Sequence, residues 1–325
     1  MSGGLDSPLM SKLAGDAVAG LTTFSAVFPD SPDVDESAAI GRVVSSLGTR
    51  HVDVPLTDDW VERDLASQLS HYDEPSLDCN YVTLVRLCRA IRADSDVDIV
   101  ICGEGSDELF GGYERHRTVS EEYARTGNPD VAVYARNVVA LPRLRLFTED
   151  TAIANTVRHE LFDEIVRSPA GVDPLNAVLM LDQLTFLGAY NHRQDRIGMQ
   201  HGLEIRMPYQ DHELVRFGNA LPGSLKTRGE WRKWLLRRVA ERHLPHDAVW
   251  QSAKQMFALP VAHLFEGRLG DIYRDVLGPE CRLSRWYSVA GMHRLLDDHR
   301  AADRDHSNTL WRLMTLELWL RNLAR

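Results

Sequence analysis

The chain has 325 residues, of which 44% are hydrophobic and 26% charged, and its formal net charge is −10. Such a composition is ordinary for a globular protein with a large core, and the length suggests two domains or one domain with an elaboration. The acidic balance argues against non-specific nucleic-acid binding, which needs a basic footprint, and no apolar run approaches membrane-spanning length. The four cysteines, Cys79, Cys88, Cys102 and Cys281, show neither a Cys-x-x-Cys pair nor the spacing of a disulfide framework. With no basic-then-apolar leader pattern at the start, they predict a reducing, cytoplasmic setting.

The chain opens on Ser2-Gly3-Gly4-Leu5-Asp6-Ser7. Two glycines beside a serine let successive backbone N–H groups face one concavity, a nest suited to phosphate oxygens, and a following helix adds its N-terminal dipole. Asp6 can reach a metal on the same phosphates, and the Ser2 and Ser7 hydroxyls can donate to them. Pro8 to Val18 is compatible with that helix. Thr22 to Phe28, aromatic and β-branched, reads as a strand. Asp35 to Leu47 has helical spacing with Gly48 suited to its C-cap, and His51 to Leu56 is a second short strand. Strand, helix, strand predicts parallel pairing through a right-handed crossover. Trp60 to His71 and Tyr81 to Ala93 read as helices, with Asp73-Glu74-Pro75 between them.

Asp98 to Cys102 has the character of a buried strand and runs into Gly103-Glu104-Gly105-Ser106-Asp107-Glu108-Leu109-Phe110-Gly111-Gly112-Tyr113. Glu104, Asp107 and Glu108 put three carboxylates within five residues. Unpaired, they would repel, so something must compensate them; a divalent cation beside a phosphate chain is one such compensator. A polar loop with a solvated acidic face is the plainer reading. Beyond Tyr113 the strand rhythm stops, and residues from about 120 to 325 read as helix after helix, broken at prolines. Within 190–213, His192, His201 and His212 have no metal-ligand spacing and read as structural or exposed. Asp195, Arg196, Glu204 and Arg206 are compatible with ion pairs around a pocket or with a purely structural network. Trp231 to Arg237 reads as a basic amphipathic helix with one solvated face. Ser307 to Leu323 reads as a core helix opened by a serine or asparagine cap.

Ser2 to Ser7 resembles the pyrophosphate loop of the adenylate-forming ATP pyrophosphatases. Gly103 to Tyr113 looks like the second signature of asparagine synthetases and their relatives, including β-lactam synthetases and lasso-peptide cyclases. Two further stretches are similar to that family: Asp195 to Asp211, with Tyr209-Gln210 in place of Phe-Leu, and Lys254 to Pro260, with Met256 where Gly is usual. The resemblance implies an α/β fold: a parallel-sheet adenine nucleotide α-hydrolase-like core in residues 1–118, followed by an α-helical part, 119–325, of the same synthetase domain. The family's first strand and N-terminal glutaminase domain are missing upstream of Ser2, which leaves a misplaced start, a split gene or a degenerate copy.

The resemblance also implies chemistry and site residues. A carboxylate attacks the α-phosphorus of ATP with Mg²⁺ present, pyrophosphate leaves, and an amine captures the acyl-adenylate. Ser2, Ser7 and the backbone N–H groups of Gly3, Gly4 and Leu5 would hold pyrophosphate; Asp6 and Asp107 would bind Mg²⁺. Cys102, usually Ser in the family, and Gly103 would face the nucleotide, and Ala26 would line the adenine pocket. Glu104 is the candidate general base and Lys254 the candidate cation over the developing charge. The implied substrates are ATP, aspartate or another carboxylate, and ammonia, with a separate glutaminase subunit and a homodimer both compatible. Asparagine formation leads; a ring-closing amide synthetase and an inactive remnant or partner subunit are the alternatives.

Overall fold

A computed structural model describes residues 1–61, 65, 78–127, 173–250, 259–302 and 304–323. The first half alternates helices and short strands: α1 (Asp6–Ala17), β1 (Thr22–Val27), α2 (Ser37–Leu47), β2 (Arg50–Pro55), α3 (Asn80–Asp94), β3 (Ile99–Ile101), α4 (Ser106–Phe110) and α5 (Glu114–Thr126). Then come α6 (Pro174–Gln200), β4 (Glu204–Arg206), α7 (His212–Ala220), α8 (Trp234–Ala240), α9 (His246–Val249), α10 (Val261–Glu266), α11 (Arg268–Val276), α12 (Val289–Arg300) and α13 (Ser307–Asn322). Among the described residues no helix is long and apolar enough to cross a membrane. All four cysteines are free thiols.

The strand–helix–strand unit forms as its pattern predicts. β1 pairs parallel with β2, from Thr22 opposite Arg50 to Val27 opposite Pro55, as an intervening helix requires. α2 buries Ala39, Ile40, Val43 and Leu47, one face of a helix, and ends on Gly48 in the left-handed region at φ 66°. β3 follows α3 but pairs parallel with β4, Ile99 opposite Glu204 and Ile101 opposite Arg206. The helical half is therefore not all helix. Three residues of Glu-Ile-Arg carry too little periodicity to announce a strand; the backbone of β3 supplies the partner. Among the described residues the two strand pairs are separate two-stranded sheets.

Among the described residues two cores organise the rest. One joins Ala26 and Phe28 to Tyr81, Val85 and Cys88 of α3, Ile197 of α6, and Leu310, Trp311 and Met314 of α13, so α13 is the packing element its sequence suggests. Its cap differs: Ser307 is buried, and its N–H donates to Asp305 Oδ1 at 2.9 Å. The second core gathers Leu5 and Leu9, Val43 and Leu47, Leu109 and Phe110, Tyr209, Leu236 and Ala240. It fastens α1, α2, α4 and α8 to one another, and thereby fixes the loops that precede α1, α4 and α8. The stretches 66–77 and 251–258, with Asp73-Glu74-Pro75 and Lys254, lie outside the described residues.

α6 starts on Asp173, whose carboxylate accepts the Leu175 N–H at 2.9 Å, with Pro174 in the first turn. It is held to α5 by a charge cluster: His116 Nε2 lies 2.6 Å from Asp182, both side chains fully buried, and Arg115 reaches the same carboxylate at 2.9 Å. Arg115 also stacks on Tyr113, 4.0 Å from the ring centre. Burial lowers the pKa of His116 against the pull of Asp182. Removing one member of such a cluster strands the others. Asp182→Ala is expected to cost about 3–5 kcal/mol, read as a lower urea midpoint with an unchanged m-value.

Candidate active site

The Ser2–Ser7 loop curls on itself at the start of α1. Ser2 N–H donates to Ser7 Oγ at 2.9 Å, Gly4 N–H to Ser2 Oγ at 3.3 Å, and Gly3 N–H to Glu36 Oε2 at 2.8 Å. Glu36, at the foot of α2, is buried; burial raises its pKa and the Gly3 N–H opposes that rise. The Gly3 donor is thus already engaged by a carboxylate. Nothing in the sequence singles out Glu36, because its partner lies 33 positions away.

The acidic loop arrives from β3. Cys102 N–H donates to Arg206 O at 2.9 Å, which extends the strand pairing by one bond. Burial, then the neighbouring Glu104, pushes the Cys102 thiol up to about 12, so it is neutral at ordinary pH. Gly103 packs on α1: a Cβ there would meet Asp6 Cβ at 3.4 Å and Ser7 N at 3.5 Å. The two glycine-rich motifs, a hundred residues apart, are in contact. Gly105 turns at φ 96° with Gln210 pressed against it, 2.6 Å from where a Cβ would sit, so only glycine serves. Gln210 itself exchanges two amide hydrogen bonds with Asn191 of α6, at 2.8 and 2.9 Å.

The three carboxylates of this loop are compensated in three ways. Glu104 pairs with Arg193 of α6 at 2.8 Å and accepts from Gln194 Nε2 at 3.2 Å. Burial raises its pKa, and Arg193 opposes. Arg193 also pairs with Asp78 and lies over the Tyr190 ring. Asp107 pairs with Lys233 Nζ at 2.8 Å. Glu108 is buried and accepts from Tyr113 Oη at 2.5 Å; burial above all pushes its pKa up to about 7.

Lys233 is the residue that sequence patterns place wrongly. The helix begins at Trp234 rather than Trp231. Before it the chain doubles back: Arg228 and Trp231 exchange backbone hydrogen bonds, and Trp234 N–H returns to Lys226 O at 2.8 Å. Lys233 consequently sits in the left-handed region, φ 52° and ψ 40°, which is strained for a residue with a Cβ. Its side chain points inward and is 7% exposed. The ammonium meets Asp6 Oδ2 at 2.5 Å, Ser106 Oγ at 2.7 Å and Asp107 Oδ1 at 2.8 Å. Burial works to lower its pKa, but Asp107 and Asp6 leave it raised. Gly112 makes room for this knot: a Cβ would fall 1.6 Å from Asp107 Oδ1 and 2.2 Å from Lys233 Cε. Other basic residues of the segment are not solvated either. Arg237 stacks on Trp231 and Trp250.

Ser2, Gly3, Gly4, Leu5, Asp6, Ser7, Cys102, Gly103, Glu104 and Asp107 are therefore brought together. Ala26 lies in β1 with its methyl in the core. Lys254 falls outside the described residues. Of the two readings open for Asp195, Arg196, Glu204 and Arg206, the pocket one does not hold: all four are on the surface, and Glu204 pairs with Arg206 in solvent. Arg193 and Gln194, one helical step away, reach the site instead. His192, His201 and His212 do not converge, and among the described residues no group of three or more His, Cys, Asp or Glu could hold a metal. Asp6 and Asp107 do converge on one cation, and Asp6 Oδ1 is buried with no hydrogen-bond partner. That donor set fits a divalent cation that takes its remaining ligands from phosphate oxygens.

Glu108 gives a pH signature. The unfolded chain releases a Glu proton near pH 4.3, whereas the folded chain holds it to about 7. Its contribution is thus full below about pH 4 and is lost as pH rises to about 7. Glu108→Gln keeps the acceptor for Tyr113 and removes the titration. Relative to wild type, the variant is expected to gain stability between about pH 5 and about pH 8 in urea titrations; parallel pH curves would contradict this.

With this geometry in place, comparison with known proteins is informative. Residues 1–321 match the family model for asparagine synthase. The chain is 26% identical, over 98% of its length and 53% of theirs, to a provisionally named glutamine-hydrolysing asparagine synthetase of Mycobacterium tuberculosis. It is 23% identical to glutamine-hydrolysing asparagine synthetase 1 of Bacillus subtilis, over 98% of this chain and 55% of that one. It is also 26% identical to amidase chry2 of Gibberella zeae, over 80% and 48%. The chain spans about half the length of the curated relatives it matches most fully. A match over nearly every residue, which takes in both motifs that meet at Lys233, establishes that this chain belongs to the asparagine synthase family.

Proposed function

We propose that the chain is an ATP-dependent amide-forming ligase that adenylates a carboxylate and passes the acyl group to ammonia, with aspartate as the leading acceptor. The observation that carries this reading is the meeting of the two glycine-rich motifs at one buried charge cluster, Asp6–Lys233–Asp107. The proposed frame is an adenine nucleotide α-hydrolase-like core in residues 1–118 with a helical part, 119–325. Ammonia would come from solution or from a glutaminase chain.

A carboxylate does not react with an amine at neutral pH, because oxide or hydroxide would have to leave. Attack of the acceptor carboxylate on the α-phosphorus of ATP, with pyrophosphate departing, gives an acyl-adenylate whose AMP leaves readily. Such a step depends on positioning and charge neutralisation. Ser2, Gly4, Leu5 and Ser7 would hold the pyrophosphate, and Gly3 would join them if its N–H exchanged Glu36 for a phosphate oxygen. Asp6 and Asp107 would hold Mg²⁺, which when bound neutralises phosphate charge. Cys102 and Gly103 would face the nucleotide with the backbone of Ala26. In the second step the amine attacks the acyl carbon, the C–N bond forms, the bond to AMP breaks, and Glu104 takes the amine's proton. Burial raises its pKa, which favours its taking up a proton, and the Arg193 guanidinium 2.8 Å away opposes that rise. Lys254 would lie over the charge that develops on the acyl oxygen and α-phosphate.

One observation favours a second acceptor. The Gln210–Asn191 amide pair lies against Gly105, where the resembled pattern has Leu. A polar wall there suits an acceptor other than aspartate, including one whose own amine closes a ring.

Carboxylate-dependent ATP–pyrophosphate exchange tests the first step, and AMP release with ammonia tests the whole. Asp107→Asn is expected to abolish exchange. Glu104→Gln should spare nucleotide binding and slow amide formation; wild-type rates in either variant would make the acidic loop merely structural. Lys254→Ala should lower turnover by about 10²–10³ with nucleotide affinity little changed, the scale of losing one electrostatic donor. Lys254→Arg should rescue only in part, because a planar fork is not a compact charge. Weakened ATP binding with intact turnover would remove Lys254 from the mechanism.

A further inference from the structure

The ammonium of Lys233 donates to Asp6 Oδ2 and Ser106 Oγ and forms an ion pair with Asp107 Oδ1 at 2.8 Å. Few surface lysines are so fully committed, and this one is buried and held in a strained backbone conformation. The two acids come from helices α1 and α4, fixed by their shared core, so they cannot swing apart to relieve repulsion. They need a cation between them at all times. Asp6 Oδ1, buried and without a hydrogen-bond partner, leaves coordinating capacity that the ammonium does not use.

We propose that Lys233 is a resident stand-in for a divalent cation: it occupies the place between Asp6 and Asp107 that a metal would take, keeps divalent cations out in the absence of nucleotide, and leaves a free-standing metal site when its charge is removed. The proposal rests on reading Asp6 and Asp107 as metal ligands. It gives Lys233 a positioning role, in which the acids are held at metal-binding separation before ligands arrive. Metal would then enter as the nucleotide's companion, when phosphate oxygens offer the ammonium a new partner.

The test uses the whole chain without nucleotide or acceptor, so its outcome is independent of whether the ligase reading holds. Mn²⁺ binding is followed by electron paramagnetic resonance, and melting temperature is compared in chelator and in millimolar Mg²⁺. Wild type is expected to bind Mn²⁺ weakly and to melt at the same temperature in both. Lys233→Met should melt lower in chelator, recover in Mg²⁺, and bind Mn²⁺ at least about tenfold more tightly than wild type, since two uncompensated carboxylates now face one point. The double variant Lys233→Met, Asp107→Asn restores the charge balance; it should fold in chelator and lose the Mg²⁺ response. Wild type that binds Mn²⁺ as tightly as Lys233→Met would overturn the proposal. So would a Lys233→Met protein, folded or unfolded, that divalent cations leave unchanged.

Discussion

Charge neutralisation in a confined space is the constraint on which this structure depends. Glu104, Asp107 and Glu108 are spaced by a short loop and one helical turn, and Asp6 is brought beside them. In water such a group would be tolerable; partly buried, each carboxylate needs its own answer. Arg193 answers Glu104, Lys233 answers Asp6 and Asp107 together, and the Tyr113 hydroxyl answers Glu108, whose pKa burial raises to about 7. The answers come from three parts of the chain, so the acidic loop cannot be built without α6, α8 and the start of α5 in place.

Apolar packing makes that assembly rigid. Leu5 and Leu9 of the first loop and helix, Leu109 and Phe110 of α4, and Leu236 and Ala240 of α8 share one core. The same contacts that stabilise the fold therefore set the separation of Asp6, Asp107 and Lys233. Tyr209 belongs to this core and also donates its hydroxyl to Asp6 O at 3.2 Å, which ties the β4 region to the Ser2–Ser7 loop. Backbone strain at Lys233 and the missing Cβ at Gly112 are tolerated because buried ion pairing over-determines the geometry around them.

Polar substitution inside a familiar pattern is informative here. Gln210 does not hang into solvent; it finds Asn191 and packs on Gly105. A buried amide that is matched by another amide costs little, whereas an unmatched one would be expensive. The pair joins the loop after β4 to α6, the helix that also carries Arg193 and Gln194 to Glu104. One helix, through Asn191, Arg193 and Gln194, thus holds both Gln210 and Glu104.

Local sequence by itself determined the strand–helix–strand opening, the Gly48 stop of α2, the helix α3, the packing role of α13, and the two glycine-rich loops with their acids. Each rests on periodicity or on a backbone need readable within about ten residues. Tertiary structure alone decided that β4 exists, because a three-residue strand is defined by its partner's backbone. It also decided that Arg193 rather than Arg196 reaches the acids, which depends on the rotation of α6 against the loop. And it turned Lys233, one basic residue among several in a helix-like run, into the buried centre of the site. Electrostatic partners 33, 89 and 227 residues apart leave no local signal; only folding brings the charges that need each other to within hydrogen-bonding distance.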